Sequence, residues 1–558
     1  MAKMKMIDEI EGIHLKSKVL FLIAILASVV CIIVYMRALS CGFVNYEDPE
    51  YVINNPVIRH FNKDFWYWAF TTVPLNFWVP LLWISYALDY YFWGLNPLGY
   101  HLTNLILHAI NTGFVVFIAD RIYRMSPLKR YALLESNLLY YVMLLLAALL
   151  FGIHPARVES VVWITERKDV LNGLFTFASI YCYLQYVERK EAAASGWSKN
   201  GLYIGSVTLF LVSLTAKPGS IFIPLTLLIM DWFPLDRFGK NKWMTLIIEK
   251  LPYVVLALPI IAASIIGRVV QGGYNSLSDL PFTVRLVAAG NSILEYFNLM
   301  LFPVDILPYY HLPRPIPEIY ILKSALVYVS LLGITCLGRK KFPWIVAIIL
   351  SFVITLFPAL HFFADGYQVM LAPRYTYLAS LLPVVIISAM VIDGYQKLES
   401  LQKSASKIFA GFVLALLGFY SITTYQLIGD WKNSNTLWSK VIDHQPLFEK
   451  AYFFHGEALA ENGYYIEAVN DFTTCISLSA GLNGPTMYNV YAFRGDSLMK
   501  AGYYENALVD FNTAISLYPH PLYFYYRGIL MNKLGRVVSA GEDFKRAGSV
   551  NGPIYWIE

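Results

Sequence analysis

Residues 19–36 read VLFLIAILASVVCIIVYM, and the turn that follows closes with FVNYEDP at 43–49. As a helix the uncharged run is about 27 Å long, close to the ~30 Å hydrocarbon core of a bilayer. Lys3, Lys5, Lys16 and Lys18 precede it. The run is long for a signal peptide and no A-x-A-like site follows it. In Ala38-Leu39-Ser40-Cys41 the aliphatic residue is misplaced for a lipoprotein signal. We read the run as an uncleaved span with its N-terminus in the cytoplasm. Glu47 and Asp48 then place two adjacent carboxylates where a membrane helix ends. Ionisable groups there are costly unless solvated or paired and often mark function; a solvated polar loop is the plainer reading.

The rest of the composition agrees with a membrane protein. Of 558 residues, 57% are hydrophobic and 15% charged, with mean hydropathy +0.51, against roughly a quarter charged in soluble proteins. The net charge of +5 says little by itself. No basic run interleaves with aromatics, which argues against a nucleic-acid partner. Cysteines 31, 41, 182, 336 and 475 form no CxxC pair, so neither a disulfide framework nor a zinc site is indicated.

Further apolar segments of span length begin near Leu102, Leu138, Val170, Leu202, Ile221, Leu246, Ile321, Trp344, Tyr377 and Ile408, which with the first makes about eleven spans. Alternate loops carry Arg121/Arg124/Lys129/Arg130, Arg189/Lys190/Lys199, Arg237/Lys240/Lys242, Arg339/Lys340/Lys341 and Lys397/Lys403/Lys407. The positive-inside rule makes these cytoplasmic. Glu47/Asp48, His154 to Asp169, Gly366 to Arg374 and the C-terminal region are then all extracytoplasmic. Phe77 to Trp93 and Leu286 to Phe302 break this parity as spans, and we read both as interfacial or half-inserted helices.

Past Leu427 the composition becomes soluble and helical. Tyr452-Phe453-Phe454-His455-Gly456, Tyr491-Ala492-Phe493-Arg494-Gly495 and Tyr525-Tyr526-Arg527-Gly528 recur, with their glycines 39 and 33 residues apart. The second interval is close to the 34-residue tetratricopeptide period; the first carries an insertion around Gly481 to Pro485. Trp431 to Pro446 supplies a partial repeat. Residues 1–430 are thus expected to be a multi-span membrane domain and 431–558 a tetratricopeptide (TPR) domain, all-α throughout. By fold analogy such arrays hold extended peptide.

The second external loop is the densest in charge: His154-Pro155-Ala156-Arg157-Val158-Glu159, then Trp163, then Glu166-Arg167-Lys168-Asp169. Helical spacing would stack Glu159 one turn from Trp163 and two from Glu166 and Arg167. Its cations suit a phosphate or diphosphate, since arginine offers a bidentate fork; a self-neutralising, ion-paired loop is the plainer reading. His154 alone is no zinc ligand set. Lys217, in Thr215-Ala216-Lys217-Pro218, and Arg374, in Pro373-Arg374-Tyr375-Thr376-Tyr377, are cations at external ends, against the positive-inside tendency. Anion binding explains them; snorkelling to lipid phosphate is the alternative.

Phe43-Val44-Asn45-Tyr46-Glu47-Asp48-Pro49, Asn54-Asn55-Pro56, His154-Pro155-x-Arg157-x-Glu159 and Arg167-x-Asp169 together resemble the transmembrane and tetratricopeptide-repeat O-mannosyltransferases and their bacterial relatives. Lys217-Pro218 and Arg374-Tyr375-x-Tyr377-Leu378 fit the same pattern, and the repeats stand in the expected place. The resemblance covers nearly the whole chain. It implies a GT-C-class glycosyltransferase of the cytoplasmic (inner) membrane. Such an enzyme takes sugar from a polyprenyl-phosphate carrier on the extracytoplasmic face and gives it to a hydroxyl, often of protein Ser or Thr.

By position Asp48 matches the family's second acid and is the candidate base; Glu47 stands where the family has Asp and is the alternative. Arg157 replaces a residue that is often His. Arg374 and Lys217 are implied phosphate contacts, with Arg167, Arg157, His154, Glu159, Asp169 and Tyr375 around them. No cofactor beyond the lipid-linked sugar is required; a divalent metal is compatible with the residues but not demanded by them. Partners would be the lipid donor and an acceptor held in the TPR groove. Two other classes compete: a non-catalytic membrane scaffold, and a lipid-linked glycan transporter. A transporter should carry charges deep within its spans, whereas here they gather at external ends.

Overall fold

In a computed structural model the described residues are 2–74, 77–125, 138–192, 197–270, 281–311, 313, 315–360, 362, 369–479 and 487–548. Lys129, Arg130, Gly366 and the 481–485 insertion, invoked above, lie outside them. The chain divides into two compact units. One comprises residues 1–42 and 48–429, the other 43–47 and 430–558.

The first unit is helical. Its main helices are α1 (Ala2–Tyr35), α2 (Pro80–Trp93), α3 (Pro97–Arg124), α4 (Leu138–Gly152), α5 (Arg167–Glu191), α6 (Trp197–Leu214), α7 (Ile223–Trp232), α8 (Leu251–Val270), α9 (Phe282–Leu301), α10 (Glu318–Lys341), α11 (Pro343–Leu356), α12 (Leu381–Leu401) and α13 (Lys403–Ile428). Every predicted span start falls on or beside a helix. Among the described residues, six helices are long and apolar enough to cross a membrane, or seven if the pair 138–152 and 155–162, bent by 52°, counts as one. The remaining segments are shorter or more polar. The structure therefore supports a polytopic membrane unit without establishing eleven spans. The 14-residue α2 is too short to cross, at about 21 Å. The 20-residue α9 is not one of the six.

Packing centres on α1, α3, α4 and α5. Asn96 caps α3 by accepting from the Leu98 amide at 3.2 Å, and Pro97 follows at the first helical position, where a missing N–H costs nothing. Inside the bundle the Tyr377 hydroxyl sits 2.8 Å from His108 Nδ1 and accepts from Asn111 Nδ2 at 2.9 Å. A Cβ on Gly173 would come within 2.7 Å of the Tyr377 ring, so α5 needs glycine there. These contacts fix Tyr377, and with it the segment three residues earlier. A two-stranded antiparallel pair, β1 (Tyr310–His311) with β2 (Val369–Leu371), holds the same segment from the other side.

The second unit stacks α14 (Ser434–His444), α15 (Glu449–Glu461), α16 (Tyr465–Leu478), α17 (Met487–Lys500), α18 (Tyr504–Leu517), α19 (Pro521–Lys533) and α20 (Val537–Ala547). Asn433 and Thr436 form a capping box at the start of α14. Phe453, Phe472, Phe493 and Phe511 form a continuous buried core across neighbouring repeats, as expected where each repeat buries its apolar face only against the next. Gly463, Gly502 and Gly535 turn each helix pair at φ of +84°, +90° and +74°, a region costly for a side chain. Residues 43–47 belong to this unit despite their place in the chain. The Asn45 side chain donates to the Phe454 carbonyl at 2.8 Å and to Glu457 at 2.9 Å, and accepts from Trp438 Nε1 at 2.8 Å.

Candidate active site

The loop after α4 does not run as one helix. Pro155–Arg157 is a single tight turn, Val158–Val162 a short helix, and Trp163 then leaves helical geometry with ψ 118°. Ile164–Glu166 forms another turn before α5 begins at Arg167. The uniform helical spacing expected for this stretch is thereby replaced. Glu159 and Glu166 do come together, but through the break at Trp163 and a shared arginine.

That arginine is Arg374. Its backbone amide donates to Glu159 Oε2 at 2.9 Å, its guanidinium pairs with Glu159 Oε1, and its Nε lies 3.3 Å from Glu166. Lys217 Nζ donates to Glu166 at 2.9 Å and to Asp169 at 2.7 Å. Ser160 donates to Asp169 at 2.9 Å, and Lys168 Nζ stands 3.7 Å from Glu166. Aromatic faces complete the cluster. Arg374 lies over Trp163 and Tyr375 at 5.5 and 5.0 Å, Lys217 over Tyr375 at 5.3 Å, and Lys168 over Tyr51 at 4.5 Å. Arg374, Lys217 and Lys168 face Glu159, Glu166 and Asp169, so the six formal charges sum to zero. Burial opposes the charge on Glu166, but Lys217, Lys168 and Arg374 outweigh it and hold that carboxyl at about 2. Burial likewise opposes the charge on Lys217, and the two carboxylates overcome it and raise its pKa.

Asp48 is fully buried beside this cluster's loop. Its Oδ1 accepts from the Thr165 amide at 3.0 Å and from the Thr165 hydroxyl. The Tyr86 hydroxyl on α2 donates to the carbonyls of Ile164 and Thr165 at 3.0 and 3.2 Å, holding that backbone in place. Glu47 is half-buried and takes a left-handed φ of +66°, which disfavours any residue with a Cβ. The two adjacent acids are grouped differently, Asp48 with the first unit and Glu47 with the second.

The other predicted residues make contacts of a different kind. Arg167 donates to Asn104 at 2.8 Å, to the Tyr100 carbonyl at 2.9 Å and to the Ser85 carbonyl at 3.2 Å, and pairs with Asp89. It ties α5 to α2 and α3. Arg157 is fully buried against the Phe151 and Tyr377 rings and donates to the hydroxyls of Thr376 and Ser380 at 2.8 and 2.9 Å. Among the described residues no carboxylate forms an ion pair with it. His154 accepts from the Ala156 amide and reaches the Met300 carbonyl at 3.1 Å, which closes the turn. Thr165, Glu166 and Lys168 were absent from the predicted site. The Glu-Arg-Lys-Asp run signalled two of them; nothing in the sequence distinguishes Thr165.

The tetratricopeptide repeat family matches residues 449–481 and 488–521. The chain is also similar to several proteins named protein O-mannosyl-transferase. It is 24% identical over 461 residues to F38B6.6 of Caenorhabditis elegans, covering 80% of this chain and 61% of that protein. With human TMTC4 it shares 24% over 507 residues, 79% of this chain and 64% of the relative. With tmtc2 of Xenopus laevis the identity is 30% over 181 residues, 31% of this chain and 20% of the relative. The chain thus spans between 20% and 64% of these relatives' lengths.

Proposed function

We propose that this chain, as a relative of the protein O-mannosyl-transferases, is a membrane glycosyltransferase. It moves a hexose from a polyprenyl-phosphate carrier to a hydroxyl of a protein Ser or Thr. The reading is carried by one observation: Asp48 and the Arg374–Lys217–Lys168 cluster are organised by the same short segment, 159–169. Asp48 takes the proton of the acceptor hydroxyl as its oxygen bonds to the anomeric carbon. The bond from that carbon to the phosphate oxygen breaks, and the phosphate departs with the electron pair, giving inversion. Arg374 and Lys217 stabilise the charge that builds on the leaving phosphate; Lys168 joins them. Because Asp48 is buried, the Pro49–Ile53 turn must shift to admit the acceptor. Arg157 and Arg167 position the loop rather than touch substrate. The charge parity of the loops supports an extracytoplasmic site in the cytoplasmic membrane, and the repeats supply a groove for the acceptor.

The test is transfer of radiolabelled hexose from polyprenyl-phosphate mannose or glucose by the full chain reconstituted in vesicles with envelope protein as acceptor. Asp48→Asn and Arg374→Ala should each reduce transfer at least about a hundredfold while membrane abundance holds. Retained transfer in Asp48→Asn with Glu47 intact moves the base to Glu47, and full transfer with both neutralised sinks the catalytic reading. One observation favours a second reading, a non-catalytic scaffold. The cations of the cluster are already matched by three carboxylates, as a purely structural loop requires. Wild-type transfer from neither donor would select it.

A further inference from the structure

Three residues before Asp48, Asn45 is buried and its side chain is fully engaged. Its Nδ2 donates to the Phe454 carbonyl at 2.8 Å and to Glu457 Oε2 at 2.9 Å, and its Oδ1 accepts from Trp438 Nε1 at 2.8 Å. Its backbone amide donates to Ser434 Oγ at 2.9 Å. A carboxamide offers two donor hydrogens and an acceptor oxygen, and α14 and α15 use both kinds. Aspartate has the same shape without the donors, and leucine has neither donor nor acceptor. Rings enclose the group. Trp438, itself buried, stacks on Phe454 with centroids 4.7 Å apart, and Tyr46 meets Trp438 edge-on at 5.5 Å.

This anchor is close to the candidate base along the chain. Three residues span at most about 11 Å, and Glu47, at φ +66°, bends the backbone between them. Beyond Asp48 the 49–53 turn closes on itself, the Asn54 amide donating to the Pro49 carbonyl at 2.7 Å. The Asp48 carboxylate accepts from the Thr165 amide at 3.0 Å. Asp48 is therefore held through its backbone by a short tether to Asn45, and through its side chain by Thr165. The far end of the tether is the first helix pair of the repeats, since residues 43–47 group with 430–558. His455, next to Phe454, reaches Ser439 at 3.1 Å and Asp471 at 2.6 Å, which ties α14, α15 and α16 together.

We propose that Asn45 is a positioning residue: through it α14 and α15 of the repeats fix the short backbone that carries Asp48. The repeats then serve the reaction in addition to any acceptor they hold. The inference rests on Asp48 being the base.

The experiment follows hydrogen exchange and hexose transfer in the full chain in phosphatidylcholine nanodiscs. The Thr165 amide is the reporter, because it donates to Asp48 and is remote from Asn45 in the chain. Asn45→Asp keeps the shape but sets a carboxylate against Glu457 and the Phe454 carbonyl. Exchange over 161–167 should quicken about tenfold, the scale of one hydrogen bond lost. The kcat should fall by a similar factor, with the KM for polyprenyl-phosphate mannose or glucose unchanged. Adding Glu457→Gln supplies an amide that donates to the new carboxylate and should restore most of both. Arg494→Ala, which loosens the repeats elsewhere, should leave exchange over 161–167 at its wild-type rate. If Asn45→Asp fails to fold, Trp438→Phe, which removes the Nε1–H and keeps an aromatic ring, reads the same quantities at about threefold.

Wild-type exchange over 161–167 in both Asn45→Asp and Trp438→Phe would overturn the proposal. So would equal quickening in Arg494→Ala, which would make the effect a general loosening of the repeats. Quickened exchange with wild-type kcat would leave a purely structural anchor, and a raised donor KM with unchanged kcat would make Asn45 a donor contact; either overturns the positioning role. If the wild type transfers nothing while exchange responds as expected, the catalytic reading falls and the anchoring of Asp48 stands.

Discussion

Charged residues are paired in both units of this protein, but by opposite means. In the repeats the pairs keep a fixed interval. His455 meets Asp471, Arg494 meets Asp510 and Arg527 meets Asp543, each 16 residues on. Each first member also reaches the preceding helix: His455 to Ser439 at 3.1 Å, Arg494 to Thr473 at 3.1 Å, Arg527 to Asn512 at 2.7 Å. In the 159–169 cluster the intervals are 51, 117 and 215 residues. The ladder couples neighbours in a one-dimensional stack, whereas the cluster couples four distant segments. The first is redundant and partly solvated, while the second is buried and every member depends on the rest.

That contrast ranks the consequences of breaking each. Glu159→Ala should be the most damaging, leaving Arg374 buried without its main carboxylate at a cost of about 3–5 kcal/mol. Thermal unfolding of the solubilised full chain would show it, and Glu159→Leu combined with Arg374→Met should cost less than Glu159→Ala alone. Thr165→Val should follow, at about 1–3 kcal/mol, because it strips a hydroxyl from a fully buried carboxylate. Thr165→Ser should restore both stability and transfer. In the ladder, Arg494→Ala should cost only about 1 kcal/mol, the pair being partly exposed. Hydrogen exchange should localise the loss to α16–α18. His455→Arg, which completes the ladder, should change stability by no more than about 0.5 kcal/mol; a large loss would show that the first rung is built differently.

Acid tests the cluster through one of its carboxylates. Glu166 is held at about 2 against an ordinary 4.5, so its folded pKa is depressed. The stability it contributes is full above about pH 4.5 and disappears as pH falls through 2. Unfolding followed by exchange on 159–169 should therefore be flat in this group's contribution from neutrality down to about pH 4.5. A transition near pH 6 in Glu166→Gln as well as in wild type would have to come from another group.

The helical nature of both units was legible because it depends on local periodicity. Uncharged runs near 20 residues, aromatic-x-x-x-Gly recurrences and turn glycines such as Gly502 each carry their meaning within a few dozen residues. The residues of the cluster were mostly legible as well, since charged groups beside apolar runs stand out: Arg374, Lys217, Glu159 and Asp169 were all marked in advance. Their division of labour was not. Arg167 and Arg374 look alike in the chain, yet one is spent on the carbonyls and carboxylate of α2 and α3. Thr165 has no distinguishing neighbour, and its importance arises from Tyr86 and Asp48.

The sequence by itself determined that this is a membrane chain of apolar helices ending in tetratricopeptide repeats, because hydropathy and 3.6-residue periodicity are properties of contiguous residues. Only the tertiary structure decided which cation meets which carboxylate, and that Glu47 and Asp48 part company at a left-handed turn. Those outcomes depend on which distant segments pack together, and pairwise electrostatics over a few ångströms leaves no periodic trace in a linear chain.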